Sequence, residues 1–202
     1  MDKKALFKIG YGLYVLSANQ DGFDNGCIIN TVMQVADNPL KLVFSVNKQN
    51  KTHDMVLKTG NFAISCLTEE TPFQMFEWFG FQSGREVNKF VSEAAYTRCG
   101  NGVLRFNMFS NAYFAGKVTD ATDMGSHTLF VAEVTEAEVL SDAPSVTYAY
   151  YHANIKPKPE VSDAETEKWI CKICNYVHEG PLPEDFVCPL CKHPASDFER
   201  IS

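Results

Sequence analysis

Four cysteines near the end of the sequence restrict what that part of the chain can form. Cys171 and Cys174 are separated by two residues, as are Cys188 and Cys191, and thirteen residues lie between the pairs. Two cysteines at this spacing can both face one ion across a tight turn, so two opposed turns place four thiolates in a tetrahedron. Such a site suits Zn²⁺ or a single iron ion, and the spacing alone does not distinguish them. Four unrelated core cysteines would rarely show this pattern.

The cysteine count and the charge balance argue against several classes of protein. Seven cysteines are an odd number, which in a reducing compartment indicates a metal site and three free thiols rather than a disulfide framework. The first ten residues contain no long apolar run, so we expect neither a signal peptide nor a membrane anchor and, by default, a cytoplasmic location. The net charge is −7 with thinly spread lysine and arginine, which argues against nucleic acid and anionic membranes as partners.

The first 155 residues have the pattern of a mainly β domain. Two helices are predicted, over residues 53–59 before Gly60 and over residues 71–79 with Pro72 at the first helical position. Asn25-Gly26 is a predicted turn before the second strand. Many short strands with few helices favour a closed barrel or a sandwich. The predicted strands, rich in Val, Ile, Phe and Tyr, are residues 11–18, 27–35, 40–46, 61–67, 112–118 and 128–134.

The composition changes near residue 155. Prolines and lysines at residues 156–159, followed by an acidic run, predict a linker over residues 156–167. This linker would separate a domain of residues 1–155 from a C-terminal domain of residues 168–202. So short a domain buries too little apolar surface to fold alone, and we expect a bound metal ion to stabilise it.

The residues around the four cysteines resemble the rubredoxin family, and especially the short rubredoxin-like domain of rubrerythrins. The matching runs are residues 169–180 and 186–194, followed by Asp197-Phe198. The resemblance implies one iron ion per chain and a small aromatic core. Asn175 stands where that family usually has glycine, and Asn tolerates the left-handed backbone well. The implied metal ligands are Cys171, Cys174, Cys188 and Cys191, and the implied core aromatics are Trp169, Tyr176, Phe186 and Phe198.

Four segments of the first 155 residues, in order, are similar to the flavin reductase family, which binds FMN in a split β-barrel. They are residues 24–31, 45–54, 79–90 and 125–134. A Rossmann dinucleotide site is disfavoured, because Gly10-Tyr-Gly12 lacks the third glycine and the strand–helix context. The resemblance implies a mainly β fold, an FMN-binding split β-barrel with few short helices, followed by the small rubredoxin-like metal-binding domain.

The candidate cofactor residues lie in these four segments. An FMN phosphate needs N–H groups, hydroxyls and a cation, which a turn ahead of a short helix can supply together with the helix N-terminus. The predicted phosphate residues are Asn47, Lys48, Asn50, Lys51 and Thr52. The family resemblance adds Asn30 and Thr31 as ring contacts, the loop residues Gln82, Ser83, Gly84, Arg85 and Lys89 near the cofactor, and His127 as the catalytic candidate where nicotinamide docks.

Each of these candidates has a simpler interpretation. Lys48 and Lys51 could be solvated turn charges, and Arg85 and Lys89 could be ordinary surface charges. His127 could be a buried histidine whose hydrogen bonds are satisfied. Cys27, Cys66 and Cys99 are interpreted as structural residues, since small buried cysteines are common in cores.

The combination of a flavin reductase-like domain with a rubredoxin-like domain resembles the high-molecular-weight rubredoxins. That family implies an NAD(P)H-oxidising homodimer in which FMN accepts hydride and iron passes single electrons to a partner, typically a flavodiiron protein that reduces oxygen or nitric oxide. Two alternatives are a free flavin reductase that releases reduced FMN and a non-catalytic binding protein with a structural zinc ribbon.

Overall fold

The computed structural model describes residues 2–91, 93–157 and 167–201. The chain divides into two compact units, Met1–Lys156 and Pro157–Ser202. Most of the predicted linker, residues 158–166, lies outside the described residues. No helix in the described part of the chain combines the length and apolar character needed to cross a membrane.

The first unit is built on a seven-stranded antiparallel sheet with the order β2-β1-β5-β8-β9-β4-β3. The two edge strands, β2 and β3, are consecutive in the chain and only Asn30 and Thr31 separate them. The sheet must therefore curve until its edges meet at these residues, which produces the predicted barrel. The strands are β1 Tyr14–Gln20, β2 Phe23–Ile29, β3 Val32–Asp37, β4 Leu40–Asn47, β5 Asn61–Leu67, β8 Ser110–Asp123 and β9 His127–Val139, and a separate hairpin pairs β6 Tyr96–Arg98 with β7 Leu104–Phe106.

The helices of this unit are short and lie between the strands. Helix α1 ends where Gly60, at φ 72°, donates its N–H to the Val56 carbonyl, as expected for a left-handed glycine cap. The helical segments are a 3₁₀ helix Lys3–Lys8, α1 Lys51–Thr59, α2 Phe73–Gly80, a 3₁₀ turn Glu93–Ala95, and α3 Tyr148–Tyr150, which continues as a π-helical turn Tyr151–Ile155.

The structure corrects three local predictions. Asn25-Gly26 is not a turn but lies inside β2, and the two-residue turn is formed by Asp21 and Gly22, both with positive φ, at 53° and 82°. That backbone suits an Asp-Gly hairpin. The segment 27–35 forms two strands rather than one, because the chain crosses there from one sheet edge to the other. Pro72 precedes α2 in an extended conformation instead of opening the helix.

Two apolar clusters fill the first unit. Inside the barrel, Phe44, Phe62 and Phe130 are fully buried, and the ring centroid of Phe44 lies 5.0 Å from Phe62 and 5.3 Å from Phe130. A second cluster packs α2 and the segment around Tyr151 against the outer face of β1 and β5. Within β1, Val15 belongs to this second cluster and its neighbour Leu16 to the cluster inside the barrel, so this part of the strand is buried on both faces.

The second unit is a three-stranded sheet around the cysteines. Its strands are β10 Lys168–Cys171, β11 Val177–Glu179 and β12 Phe198–Arg200, in the order β11-β10-β12, with a 3₁₀ turn Ala195–Asp197. Cys171, Cys188 and Phe198 are buried at its centre, and Trp169, Tyr176 and Phe186 pack against them. The predicted aromatic core is therefore confirmed.

Candidate functional site

The four C-terminal cysteines converge on one point. Their sulfur atoms all lie within 4.8 Å of one another, and Sγ–Sγ distances are 3.5 Å for Cys171–Cys191 and for Cys174–Cys188. A tetrahedral ion with metal–sulfur bonds of about 2.3 Å has sulfur–sulfur edges of about 3.8 Å. The donor set and its spacing thus fit a single thiophilic ion such as iron or zinc.

The two cysteine pairs lie on turns of the same geometry. The N–H of Asn175 donates to the Cys171 carbonyl at 2.8 Å, and that of Lys192 to the Cys188 carbonyl at 2.9 Å. Asn175 and Lys192 both have φ of 60°, so the left-handed backbone predicted at Asn175 is confirmed and recurs at Lys192. This backbone turns each pair of cysteines towards the same point.

Replacing Lys192 by glycine is expected to stabilise the metal-loaded C-terminal unit. A residue with a β-carbon is strained at φ 60°. The free energy of this strain is larger than the additional conformational entropy that a glycine loses on folding. Lys192→Ala is the matched control, because it removes the same charge but keeps the β-carbon. We expect the free energy of unfolding to be about 1 kcal/mol higher for the glycine variant than for the alanine variant. Denaturant titration of the metal absorption bands measures this difference, and equal values would contradict the strain.

The cysteine thiols influence one another's protonation. Hydrogen bonds with Cys174 and with Cys191 lower the pKa of Cys188. Hydrogen bonds with Cys188 and with Cys191 raise the pKa of Cys174. The cluster without metal therefore keeps some thiols protonated. A metal ion must displace those protons, since only thiolates are good ligands.

A pocket in the first unit brings together residues from five separate parts of the sequence. Its volume is about 240 Å³. Four predicted cofactor residues line it, together with the catalytic candidate His127: Asn30, Thr31, Asn47 and Asn50. The other lining residues are Leu13, Ile28, Ile29, Ser45 and Tyr148. The lining thus combines three aliphatic side chains and a tyrosine with six polar side chains, which offers a planar cofactor ring both apolar contacts and hydrogen-bonding groups.

The polar side of this pocket is built where β4 meets β9. Asn47 faces His127 in the strand register, and the Asn47 Oδ1 accepts the N–H of Gln49 at 2.9 Å. The hydroxyl of Ser126 lies 2.9 Å from Nδ1 of His127. Asn50 is the N-cap of α1, and within the described part of the chain its side chain makes no capping hydrogen bond. The first N–H groups of α1 therefore lie beside the pocket wall.

The remaining phosphate candidates lie around α1 but do not line the pocket. The Lys48 ammonium pairs with Asp123 at 2.5 Å, which lowers the pKa of Asp123. The Lys51 ammonium lies 3.7 Å from the ring centroid of Phe23. Thr52 is fully buried, and its hydroxyl accepts a hydrogen bond from the Asn25 amide at 3.1 Å. The structure therefore does not bring the Thr52 hydroxyl to the pocket.

The predicted loop lies against the first turn of α1. Gln82 is exposed, and the Ser83 hydroxyl accepts the N–H of Arg85 at 3.2 Å. Gly84 is packed so closely on the Asn25 side chain that a β-carbon would collide with it. Arg85 donates to Asp54 at 2.6 Å, so the loop is tied to the helix.

Lys89, another predicted cofactor residue, does not line the pocket. Its ammonium is buried and donates to the carbonyls of Gly26 and Phe79, both at 3.0 Å. Burial lowers the pKa of Lys89. The amine is used to join β2 to the end of α2, and it does not reach the pocket.

Sequence reasoning missed Tyr148 as a pocket residue. Tyr148 lies far along the chain in a helix of three residues, too short to give a periodic pattern. Its ring packs edge-on against His152 at 4.5 Å, and burial lowers the pKa of His152 to about 4. The aromatic run at residues 148–151, next to the Thr147 cap, was the signal that could have indicated it.

Comparison with known proteins agrees with this architecture. A family model of the flavin reductase-like domain matches residues 6–158, and one of the rubrerythrin rubredoxin-like domain matches residues 169–199. The high molecular weight rubredoxin of Moorella thermoacetica is 33% identical and aligns over the full length of both chains. A ferric-chelate reductase (NAD(P)H) of Archaeoglobus fulgidus is 40% identical over 78% of this chain and 93% of its own.

Solved structures show the same fold for the first unit. An FMN-binding protein of Thermus thermophilus superposes with a TM-score of 0.62 at 22% identity, over 70% of this chain and 82% of its own. Together with the two family matches, this confirms the fold class and both resemblances noted in the sequence. The chain belongs to the flavin reductase-like family, as an oxidoreductase of the high-molecular-weight rubredoxin group that carries a rubredoxin-like domain at its C-terminal end.

Proposed function

We propose that this protein oxidises NAD(P)H through FMN and delivers the electrons, through one iron ion per chain, to a protein acceptor. The observation that carries the proposal is the presence in one chain of a ring-sized pocket and a four-thiolate site. A flavin accepts two electrons as hydride and can release them singly, whereas a mononuclear iron site accepts one. The ferric-chelate reductase relative is named for NAD(P)H, which supports the same donor here.

The pocket and the start of α1 together suit FMN. At about 240 Å³ the pocket lies below the usual range for whole ligands, so it would hold the ring while the phosphate lies outside. The N-terminus of α1 offers N–H groups and a favourable dipole there. Lys48 would supply the cation, exchanging its Asp123 partner for the phosphate. Asn30 and Thr31 would contact the ring, and His127 would face the docking nicotinamide.

Replacing Lys48 by alanine is expected to weaken FMN binding about tenfold, because a charge-assisted hydrogen bond to phosphate is lost. Riboflavin lacks the phosphate, so its affinity should change less than about twofold on the same grounds. Flavin fluorescence titration of the stripped protein measures both. Lys58→Ala, at the other end of α1 and largely exposed, is the matched control. Equal weakening of FMN and riboflavin would place the phosphate elsewhere.

The direct test of the proposed function is anaerobic stopped-flow mixing with NADH and with NADPH, following flavin and iron absorption separately. We expect the flavin bands to bleach first and the iron bands afterwards. A protein that reduces and releases FMN without reducing its iron would support the free flavin reductase alternative. A colourless protein that contains only zinc, from cells supplied with iron, would support the binding protein with a zinc ribbon.

The partner and the assembly are part of the same proposal. The electron acceptor would be a redox protein such as a flavodiiron protein. The exposed side chains of Met33 and Val35 on the edge strand β3 offer an apolar surface to a second copy, which supports a homodimer. None of the seven cysteines, all of which the structure describes, forms a disulfide bond, which supports a reducing compartment such as the cytoplasm.

A further inference from the structure

A buried histidine behind the pocket links three elements of the first unit. Nε2 of His53 lies 2.8 Å from the Thr128 hydroxyl, and Nδ1 lies 3.0 Å from the Asp54 carboxylate. Asp54 in turn accepts a hydrogen bond from Arg85 at 2.6 Å. The chain of contacts therefore runs from the loop at Arg85, through the first turn of α1, to the beginning of β9.

The chemistry of these partners fixes the histidine. A carboxylate can only accept, so in the neutral ring Nδ1 carries the proton and Nε2 accepts from the Thr128 hydroxyl. Burial alone would raise the pKa of Asp54, but hydrogen bonds from His53 and Arg85 outweigh it, so the pKa of Asp54 is lowered. The His53 ring also packs at 5.8 Å from Phe130 in the barrel core. Ring and hydroxyl are both buried, so removing either leaves the other without its partner.

The two residues of the hydrogen bond between His53 and Thr128 each lie near a residue that lines the pocket. Thr128 directly follows His127, which lines the pocket, and His53 lies three residues after Asn50, the N-cap of α1. Strand β9 therefore carries a residue of the proposed ring pocket, and α1 begins at the proposed phosphate contact. The hydrogen bond between His53 and Thr128 joins these two elements.

We propose that His53, held by Thr128 and Asp54, is a positioning residue that sets the span between the phosphate end and the ring end of the flavin site. The proposal rests on the function proposed above. A ligand that uses both ends at once, such as FMN, depends on that span. Riboflavin uses only the ring end and should be nearly insensitive to it.

The test compares Thr128→Val with Thr128→Ser in the full-length, flavin-stripped protein, titrated with FMN and with riboflavin. Valine keeps the shape of threonine and removes the hydroxyl, whereas serine keeps the hydroxyl. We expect the valine variant to bind FMN about tenfold more weakly, the change typical of one lost buried hydrogen bond, and riboflavin less than about twofold more weakly. The serine variant should bind both flavins like the unchanged protein.

Other outcomes separate this proposal from its premise. Equal weakening of FMN and riboflavin by Thr128→Val, or a serine variant that behaves like the valine variant, would overturn the positioning role. If the valine variant does not fold, Asp54→Asn, at a half-exposed carboxylate, should give the same selective loss of FMN to a smaller degree, and no selective loss would overturn it. If the protein without any substitution binds no FMN, the proposed function itself is refuted.

Discussion

Replacing Cys188 by alanine is expected to abolish iron binding and to unfold the C-terminal unit, while the first unit stays folded and keeps its flavin. Cys188 is fully buried at the centre of a small core whose large side chains, Phe198 apart, are only partly buried. In units of this size, metal binding contributes on the order of 10 kcal/mol of folding free energy, as in zinc-finger peptides. The Cys188→Ala protein keeps only three thiolates and has a cavity in place of the fourth, so it loses this contribution to folding.

Metal analysis and amide hydrogen exchange measure the two parts of this prediction. Iron should fall from one ion per chain to a trace, and protection should be lost in β10, β11 and β12 but retained in β1 to β9. Cys99→Ala is the matched control, since Cys99 is a buried thiol of the first unit and its loss should leave iron unchanged. Stoichiometric iron in the Cys188→Ala protein would refute the four-thiolate site.

Removing residues 157–202 is expected to leave flavin reduction by NAD(P)H intact and to abolish electron transfer to the protein acceptor. Among the described residues, all that line the pocket belong to the unit Met1–Lys156, so we expect the ring site to form without the C-terminal unit. The four thiolates are all removed with the deleted segment. The proposed single-electron step to the acceptor then has no metal site.

The converse experiment uses full-length protein that holds iron but has been stripped of flavin. Mixed anaerobically with NADH, it should keep its iron absorption, because an iron–thiolate site has no means of accepting hydride. Adding FMN should restore bleaching. Rapid bleaching without flavin, or a truncated protein that still reduces the acceptor at the full rate, would contradict the proposed order of electron flow.

The cysteine site could be predicted almost completely because its information is local. Two residues between paired cysteines, and an Asn that accepts a left-handed backbone, determine each turn without help from the rest of the chain. The mainly β fold was predictable for a similar reason, since strand-forming runs are continuous in the sequence. Asn30, Thr31, Asn47, Asn50 and His127, which line one pocket, were predicted because each belongs to a segment that resembles the flavin reductase family.

What the sequence could not show depends on contacts between distant residues. The pairing of Lys48 with Asp123 joins positions 75 residues apart, and neither residue alone indicates it. Lys89 looks like a surface charge in sequence but is buried by the packing of α2 against β2. Tyr148 enters the pocket only because the segment after β9 returns to β1, where Leu13 donates its N–H to the Val146 carbonyl.

Strands β2 and β3 are joined by Asn30 and Thr31, which line the pocket. Because of this position, we expect ligand binding in the pocket to depend on the folding of the whole barrel. These strands are the first and last of the sheet order, and five paired strands lie between them. The pocket takes residues from the β2–β3 connection, from β4 and from β9, so its shape depends on the pairing of the whole sheet. A molecule bound there recognises the closed sheet and not the open one. By mass action it would raise the melting temperature of all seven strands as one cooperative unit, and hydrogen exchange would slow in β5 and β8 although neither strand contributes a residue to the pocket wall.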